Sequence, residues 1–204
     1  MTNQETLQAL CQQPAAVEWF KGLFRTAHLE ITDTREKFTV THDGATLRVT
    51  SGFEGDRPNF VVPLESANIR NLSGFFDDER IDAKEEYRIV KFMLKPCLRA
   101  ALDMPVLKNK AFRKVVNVDT HWQEALLDPD GREDEQLTVI CVNDQWLILP
   151  GYHGRPQRRL VMTPAQVLEY QRKIFDANEK NSLPVWLSMG GWYLRWRDTV
   201  SVAV

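Results

Sequence analysis

The chain has 204 residues, a formal net charge of -2 and 43% hydrophobic residues. A chain of this length buries a sizeable core without structural staples, and its charge balance excludes a general nucleic-acid binder. The three cysteines are far apart, odd in number and without a CxxC spacing, which favours a reducing compartment. The N-terminus lacks the pattern of a signal peptide, and no run of about 18 apolar residues occurs. We therefore expect a cytoplasmic protein.

Apolar spacing predicts an α+β fold for the N-terminal half. After a break at Gln13-Pro14, apolar residues recur with helical spacing over about residues 15–27. Two strands are then predicted on either side of Asp43-Gly44, a dipeptide that favours a tight hairpin. A third strand over Phe60–Leu64 leads to a short helix with Ser66 as its predicted N-cap. We expect these strands to form an antiparallel sheet packed against helices.

A capping box at Asp82 and Glu85 opens the longest helical pattern in the chain. One side of this predicted helix is apolar, and Pro96 predicts a kink or a break in it. The opposite side carries a basic stripe formed by Arg88, Lys91, Lys95 and Arg99. Over residues 82–114, nine Lys or Arg residues against four Asp or Glu residues leave a local excess of five positive charges. This pattern is typical of a solvated face, or of transient contact with an anionic membrane surface or an acidic partner.

The second half of the chain predicts a β-meander followed by two helices. The turn between the last two strands of the meander is predicted at Asn143-Asp144. Thr163 and Gln166 predict a capping box for the first helix, and the second helix places Trp186, Met189, Tyr193 and Trp196 at heptad-like spacing. No internal repeat is visible in the sequence. The predicted regions are residues 1–116 and 117–204, packed as one domain or as two.

No catalytic, phosphate-binding or metal-binding motif is present: GxSxG, GxGxxG, GxxxxGK[ST] and CxxC spacings are all missing. The candidate acid or base groups are His121 and His153, and the loop of His153 also carries Arg155, Arg158 and Arg159 as an expected set of anion-binding groups. Asp119 is predicted on the same strand face as His121 and Glu124 on the opposite face, which argues against a local metal site. Cys97 falls on the apolar side of its helix, which predicts a buried, inert thiol. We predict no metal or cofactor.

The order of helix, hairpin, strand, short helix and amphipathic segment over about residues 15–107 resembles the sterol-carrier-protein lipid-binding fold. The segments that carry the resemblance are EKFTVTHDGATLRVTSG, NFVVPLESANIRNLSGFF and EEYRIVKFMLKPCLRAAL. The resemblance implies a curved sheet and helices around an apolar tunnel for fatty acyl chains or sterols, without covalent chemistry. The residues that it implies as tunnel lining are Phe38, Val40, Leu47, Val49, Phe60, Val62, Ile69, Leu72, Phe75, Met93 and Leu94. The family has a strand before its last helix, whereas EEYRIVKFML has a helical pattern here.

Three hypotheses for function follow from these patterns. The first is a non-catalytic protein that binds an apolar small molecule such as a lipid. The second is an interaction module, for example a homodimer formed through the Trp-rich C-terminal helices or an exposed strand edge of the meander. The third is an enzyme that uses His121 or His153. Nucleic acid is not favoured as a partner, because aromatic residues are not interleaved with the basic stripe as stacking on bases requires.

Overall fold

A computed structural model of the chain describes residues 1–55, 57–76, 81–115 and 117–204, without the side chains of residues 105 and 106. Its helices and sheets confirm the α+β fold. The chain divides into two compact units, Met1–Pro96 and Cys97–Val204. This division falls inside a helix, whereas the boundary predicted from the sequence follows residue 116, which lies outside the described residues. No linker composition marks the division, because the helix continues through it.

The N-terminal unit is a four-stranded sheet with helices. Its helices are α1 (Asn3–Gln12), α2 (Pro14–Phe20), α3 (Ser66–Gly74) and the first part of α4 (Ala83–Leu102), and its strands are β1 (Thr26–Ile31), β2 (Lys37–His42), β3 (Leu47–Ser51) and β4 (Phe60–Leu64). The strand order is β3-β2-β1-β4. The hairpin of β2 and β3 is antiparallel as predicted, and Val40 pairs with Val49. However, β4 pairs with β1 in parallel, so the sheet is mixed rather than antiparallel.

The first helix of the unit, α1, was not predicted from the sequence. Thr2 and Glu5 form a capping box at its start, a local signal that the sequence does contain. The predicted helix over residues 15–27 corresponds to α2, which ends earlier, at Phe20. Gly22 follows with a φ of 72°, and Leu23 lies fully buried after it. The apolar spacing continued past the end of the helix because this turn packs against the core.

The long helix α4 confirms the continuous helical pattern of its sequence. Its predicted capping box is present: the backbone N–H of Glu85 donates to Asp82 Oδ1 at 2.8 Å, and the N–H of Asp82 donates to Glu85 Oε2 at 2.9 Å. Pro96 lies inside the helix without breaking it. The preceding helix α3 is capped by Glu65 rather than by Ser66. None of the described helices has the apolar length that crossing a membrane requires.

The C-terminal unit holds the predicted meander and two predicted helices. Its elements after α4 are α5 (Pro105–Lys108), α6 (Lys110–Val115), β5 (His121–Leu127), β6 (Glu133–Val142), β7 (Gln145–Pro150), β8 (Arg158–Met162), α7 (Pro164–Lys180), α8 (Leu183–Val200) and β9 (Ser201–Val202). The capping box of Thr163 and Gln166 is present at the start of α7. Strands β8 and β9 were not predicted. The arginines at positions 158 and 159 obscure the strand pattern of β8, which is only five residues long.

The two units repeat one topology. In the C-terminal sheet the strand order is β7-β6-β5-β8-β9, so β5 to β8 follow the order of β1 to β4. The pairing also matches, since β8 is parallel to β5 as β4 is parallel to β1, and both hairpins are antiparallel. Among the described residues, α1 and α2 precede the N-terminal strands and α3 and α4 follow them, while α5 and α6 lie between α4 and the C-terminal strands and α7 and α8 follow β8. The structure therefore contains an internal repeat, although none is visible in the sequence.

In both units, a threonine side chain forms two hydrogen bonds with the backbone just after the hairpin. In the N-terminal unit, Thr39 Oγ1 donates to the carbonyl of Gly52 at 2.9 Å and accepts from the N–H of Glu54 at 2.8 Å. In the C-terminal unit, Thr138 Oγ1 donates to the carbonyl of Gly151 at 2.8 Å and accepts from the N–H of His153 at 2.9 Å. These two hydrogen bonds hold the chain in place where it leaves the third strand of each repeat.

A side-chain amide before the parallel strand also recurs in both units. Asn59 Oδ1 accepts the N–H groups of Arg25 and Thr26 at 2.8 and 2.9 Å. Gln157 Oε1 accepts the N–H groups of Thr120 and His121 at 2.7 and 2.9 Å. The same hydrogen bonds are made by different residue types, which is why the repeat escapes detection in the sequence.

Candidate functional site

The N-terminal unit contains an apolar cavity of about 70 Å³ between its sheet and its helices. The lining side chains are hydrocarbon, aromatic or sulfur-containing except for the amide of Asn68. They come from all four strands and from α1, α3 and α4, together with residues at the end of α2. The lining residues are Leu7, Leu10, Cys11, Phe20, Phe24, Ala27, Leu29, Val40, Leu47, Phe60, Val62, Leu64, Asn68, Leu72, Ile89, Phe92 and Met93. This chemistry suits an apolar ligand.

The cavity brings together part of the predicted ligand-binding set. Of the implied positions, those that line it are Val40, Leu47, Phe60, Val62, Leu72 and Met93. Those that do not line it are Phe38, Val49, Ile69, Phe75 and Leu94. Among the lining residues that sequence reasoning missed are three on α1, namely Leu7, Leu10 and Cys11. Their i, i+3, i+4 spacing is a helical signal that could have identified them.

The size of this cavity limits what it holds in the conformation described. A cavity of about 150 Å³ accommodates benzene, whereas sites for drug-sized ligands occupy about 300–1,000 Å³. At about 70 Å³ the cavity admits a short aliphatic group. Its mouth is marked by the lining residues that solvent reaches, since Phe92 is 40% exposed and both Asn68 and Leu72 are half-buried.

The thiol of Cys11 keeps this lining apolar. Burial raises the pKa of Cys11 to about 11, because the thiolate is poorly solvated there. The thiol therefore stays protonated at neutral pH and packs as a small hydrophobic group. The predicted buried thiol of Cys97 is also found, with its pKa raised by burial to about 12.

A second cavity, again of about 70 Å³, lies in the C-terminal unit. Its lining is richer in aromatic and polar atoms than that of the first cavity. Trp122, Tyr170, Trp186 and Tyr193 contribute rings, and the guanidinium of Arg197 contributes a charge. The Nε of Arg197 is buried and has no hydrogen-bond partner among the described residues. An apolar cavity with a few buried polar groups is the usual character of a small-molecule site.

Glu124 is the buried carboxyl group beside these aromatic residues. Its carboxyl accepts a hydrogen bond of 2.7 Å from Trp122 Nε1. Burial raises the pKa of Glu124 to about 7, because the charged carboxylate loses its hydration, and the indole N–H offsets part of this rise. Burial also raises the pKa values of Tyr170 and Tyr193, and the nearby charge of Glu124 adds to both rises.

Asp119 holds two arginines together at the start of the C-terminal sheet. Its Oδ2 accepts from Arg158 Nε at 2.8 Å and from Arg197 Nη1 at 3.3 Å. The guanidinium of Arg197 also lies over the ring of Tyr193, 5.9 Å from its centroid. Because β5 begins at His121, Asp119 lies before the strand rather than on the strand face that was predicted for it. Its place in this network is that of a structural ion-pair partner.

The two candidate histidines are engaged by backbone carbonyls. His121 Nε2 donates to the carbonyl of His153 at 3.0 Å, and His153 Nε2 donates to the carbonyl of Pro150 at 2.6 Å. Two of the three arginines of the expected anion site beside His153 form ion pairs within the fold. Arg158 pairs with Asp119, and Arg159 pairs with Glu133. Since carboxylates already neutralise both guanidinium groups, they do not form an open anion-binding set.

The basic stripe of α4 is exposed in most of its length. Arg88, Lys95 and Arg99 are exposed, and Lys91 is half-buried. The guanidinium of Arg88 lies 5.8 Å from the ring centroid of Phe75, and Arg99 Nη1 donates to the carbonyl of Trp146 at 3.1 Å. Arg88 and Arg99 therefore have contacts within the fold as well as solvent-facing charge.

No group of three or more His, Cys, Asp or Glu residues that could hold a metal ion occurs in the part of the chain that the structure describes. All three cysteines are free thiols. Comparison of the chain with profiles of protein families, with curated proteins and with solved structures finds no match.

Proposed function

We propose that this chain is a non-catalytic binding protein that holds an apolar small molecule in the cavity of its N-terminal unit. The observation that carries the proposal is the lining of that cavity, which is apolar except for the amide of Asn68 and has contributions from the sheet and from the helices. An apolar ligand is stabilised there by removal of its surface from water. The sterol-carrier resemblance leads to the same class of ligand.

The cavity volume of about 70 Å³ determines which ligands fit without a change in the protein. A short aliphatic or branched group fits the cavity as it stands. A fatty acyl chain or a sterol is several times larger, so its binding requires the helices that line the cavity to move away from the sheet. Phe92 on α4 lines the cavity and is 40% exposed, so it lies at the mouth through which such a ligand would enter.

The basic stripe of α4 supports a transient encounter with an anionic membrane surface. Arg88 and Lys95 present exposed positive charge on the helix that also lines the cavity. Each basic residue near an anionic bilayer contributes about 1 kcal/mol to binding. We place this function in the cytoplasm, and the three free thiols support a reducing compartment.

Native mass spectrometry of the purified protein, followed by denaturing extraction, tests the proposal. We expect a co-purifying apolar molecule or, after its removal, binding of a fluorescent fatty-acid probe. Val40 lines the cavity, so Val40→Phe should abolish binding by filling it. Val61 is 43% exposed and does not line the cavity, so Val61→Phe is the matched control and should bind normally. Absence of any apolar ligand, together with equal probe binding by both variants, would overturn the proposal.

A second candidate function is homodimer formation through α8. Leu183, Leu187 and Leu194 are 69%, 58% and 37% exposed. Together with Gly190 they are spaced by four, three and four residues, which is the spacing of a helix–helix seam. A second copy of the same helix presents the same seam, and the contact is self-complementary.

Analytical ultracentrifugation distinguishes this second function from the first. A dimer that dissociates in Leu187→Glu but persists in Val61→Glu would locate the contact on α8, because each change places one charge at an exposed apolar position. A monomeric parent protein at all concentrations tested would exclude it. Ligand binding in the N-terminal cavity does not depend on whether the protein is a dimer, since that cavity lies within one unit of one chain.

A further inference from the structure

A polar cleft of about 500 Å³ lies in the C-terminal unit and differs in chemistry from the two apolar cavities. Its walls come from α6, from residues 117–120, and from the end of β6 with the turn that follows. The cleft has a volume within the range of about 300–1,000 Å³ that is typical of small-molecule sites. Its size therefore permits a ligand that neither apolar cavity holds in the conformation described.

The charge that lines the cleft is positive. Lys110, Arg113 and Lys114 contribute three cations, and Asp144 contributes one carboxylate. The balance of three positive charges and one negative charge is a local excess of two in a chain whose net charge is -2. An anion in this cleft gains from that local field, whereas an apolar ligand or a cation does not.

Arg113 is a fixed cation in the wall of the cleft. Its side chain is 6% exposed, its Nη1 donates to the carbonyl of Leu107 at 2.7 Å, and its Nη2 donates to Asp144 Oδ1 at 2.5 Å. The guanidinium also lies over the ring of Trp146, 5.8 Å from the centroid. These contacts hold the arginine in one position, and Asp144 neutralises its charge, so the positive charge open to an anion is that of the two exposed lysines, Lys110 and Lys114.

Two lysines and two amides complete the set of donors. Lys110 is 68% exposed, and its ammonium forms an ion pair with Asp144 at 3.7 Å. Lys114 is exposed, and the side chains of Asn117 and Asn143 also line the cleft. Ammonium and amide N–H groups donate to the oxygens of a phosphate group, which accepts several hydrogen bonds at once.

We propose that this cleft binds the phosphate group of a small phosphorylated molecule. The excess positive charge of the cleft selects an anion, and the ammonium groups of Lys110 and Lys114 together with the two amides fit the several acceptor oxygens of a phosphate. The proposal is independent of ligand binding in the N-terminal cavity, since the cleft and that cavity lie in different units of the chain.

Isothermal titration calorimetry with inorganic pyrophosphate at low ionic strength tests this proposal. The parent protein should bind pyrophosphate, and added salt should weaken the binding because it screens the charges. The double variant Lys110→Gln/Lys114→Gln should bind at least about tenfold more weakly, since it removes two charge-assisted hydrogen-bond donors from the cleft. The control Lys173→Gln/Lys180→Gln removes the same charge from α7 and should retain the parent affinity.

Labelling of Cys141 gives a second measurement that needs no substitution. Its half-buried thiol lines the cleft, so bound pyrophosphate should slow its reaction with a thiol reagent. A phosphate group also occurs on lipid headgroups, so the same variants are compared on phosphatidylcholine vesicles with and without phosphatidate. Binding to phosphatidate vesicles alone, lost in the Lys110/Lys114 variant, would overturn the small-molecule proposal and assign the phosphate to a lipid. The proposal is overturned if neither probe binds, or if both double variants bind equally.

Discussion

The indole N–H of Trp122 donates a 2.7 Å hydrogen bond to the carboxyl of Glu124, and both residues are buried on the same central strand of the C-terminal sheet. Residues two apart on a strand project from the same face, so the bond satisfies two buried polar groups within one strand. It leaves the carboxyl in apolar surroundings, where its protonation state depends on pH near neutrality.

We predict that Glu124 makes the stability of the protein fall as pH rises from about 4.5 to about 7. The folded-state pKa of Glu124 is about 7 and its ordinary value is 4.5, so the folded state binds the proton more tightly over this range. The stabilisation is complete below the lower value and is lost as pH rises through the higher value. The upper limit of the effect is about 3 kcal/mol, from about 1.4 kcal/mol per pKa unit.

Equilibrium urea unfolding at several pH values measures this effect. Glu124→Gln keeps an acceptor for Trp122 but does not titrate, so its free energy of unfolding should lack that decline. Glu169 is an exposed carboxyl on α7, and Glu169→Gln should follow the parent curve. Identical pH profiles for the parent and the Glu124 variant would contradict the prediction.

We predict that Asp119→Asn destabilises the protein by about 2–4 kcal/mol, because it removes the nearer and more buried of the two carboxylates that pair with the buried Arg197. Asp198 gives a matched control, since its carboxylate is 68% exposed and lies 3.8 Å from both Arg158 and Arg197. Asp198→Asn should change the free energy of unfolding by less than about 1 kcal/mol. Urea unfolding followed by tryptophan fluorescence compares the two variants, and equal losses would refute the assignment.

We predict that Gly154→Ala lowers the midpoint of thermal unfolding more than Gly151→Ala does. Both glycines have positive φ, 69° and 78°, so each alanine carries a similar backbone cost of about 1–2 kcal/mol. A Cβ on Gly154 would lie 3.1 Å from His121 Cε1, whereas a Cβ on Gly151 would lie 3.8 Å from His153 Nε2. Differential scanning calorimetry measures the unfolding midpoints of the two variants, and their difference reports the steric cost of the contact between the new Cβ and the His121 ring. Equal midpoints would show that the His121 ring moves aside without cost.

We predict that a thiol reagent at neutral pH modifies Cys141 first in the folded protein. Cys11 and Cys97 are buried, and their pKa values are raised to about 11 and about 12 by loss of solvation, so little thiolate is present. A colorimetric thiol assay should detect one fast thiol before denaturation and three after it. Cys141→Ser should remove the fast reaction. Fast labelling that persists in this variant would show that a buried thiol is accessible.

The sequence predicted those parts of the fold that depend on near neighbours. The capping boxes of α4 and α7 were found because each needs two residues three positions apart. The hairpins at Asp43-Gly44 and Asn143-Asp144 were found because their turns favour particular residues. In contrast, the helix predicted over residues 15–27 was too long, since apolar spacing reports burial and does not distinguish a helix from a packed turn.

The candidate site was predicted in part. Periodicity identified which face of β2, β3 and β4 is buried, and several of those residues line the N-terminal cavity. It did not show which buried positions border empty space, because that depends on how well side chains from α1, α3 and α4 fill the volume above the sheet. The arginines near His153 were assigned to an anion because their carboxylate partners, Asp119 and Glu133, are distant in the sequence.

The sequence by itself determined the α+β class, the apolar faces and the local caps and turns, since each depends on spacing along a few residues. Tertiary structure decided the parallel pairing of β4 with β1 and of β8 with β5, because strands that are not adjacent along the chain meet there. The internal repeat also becomes visible only in the tertiary structure, because it consists of strand order and pairing. Asn59 and Gln157 accept equivalent backbone N–H groups with side chains of different length, so the units share hydrogen bonds without sharing a sequence.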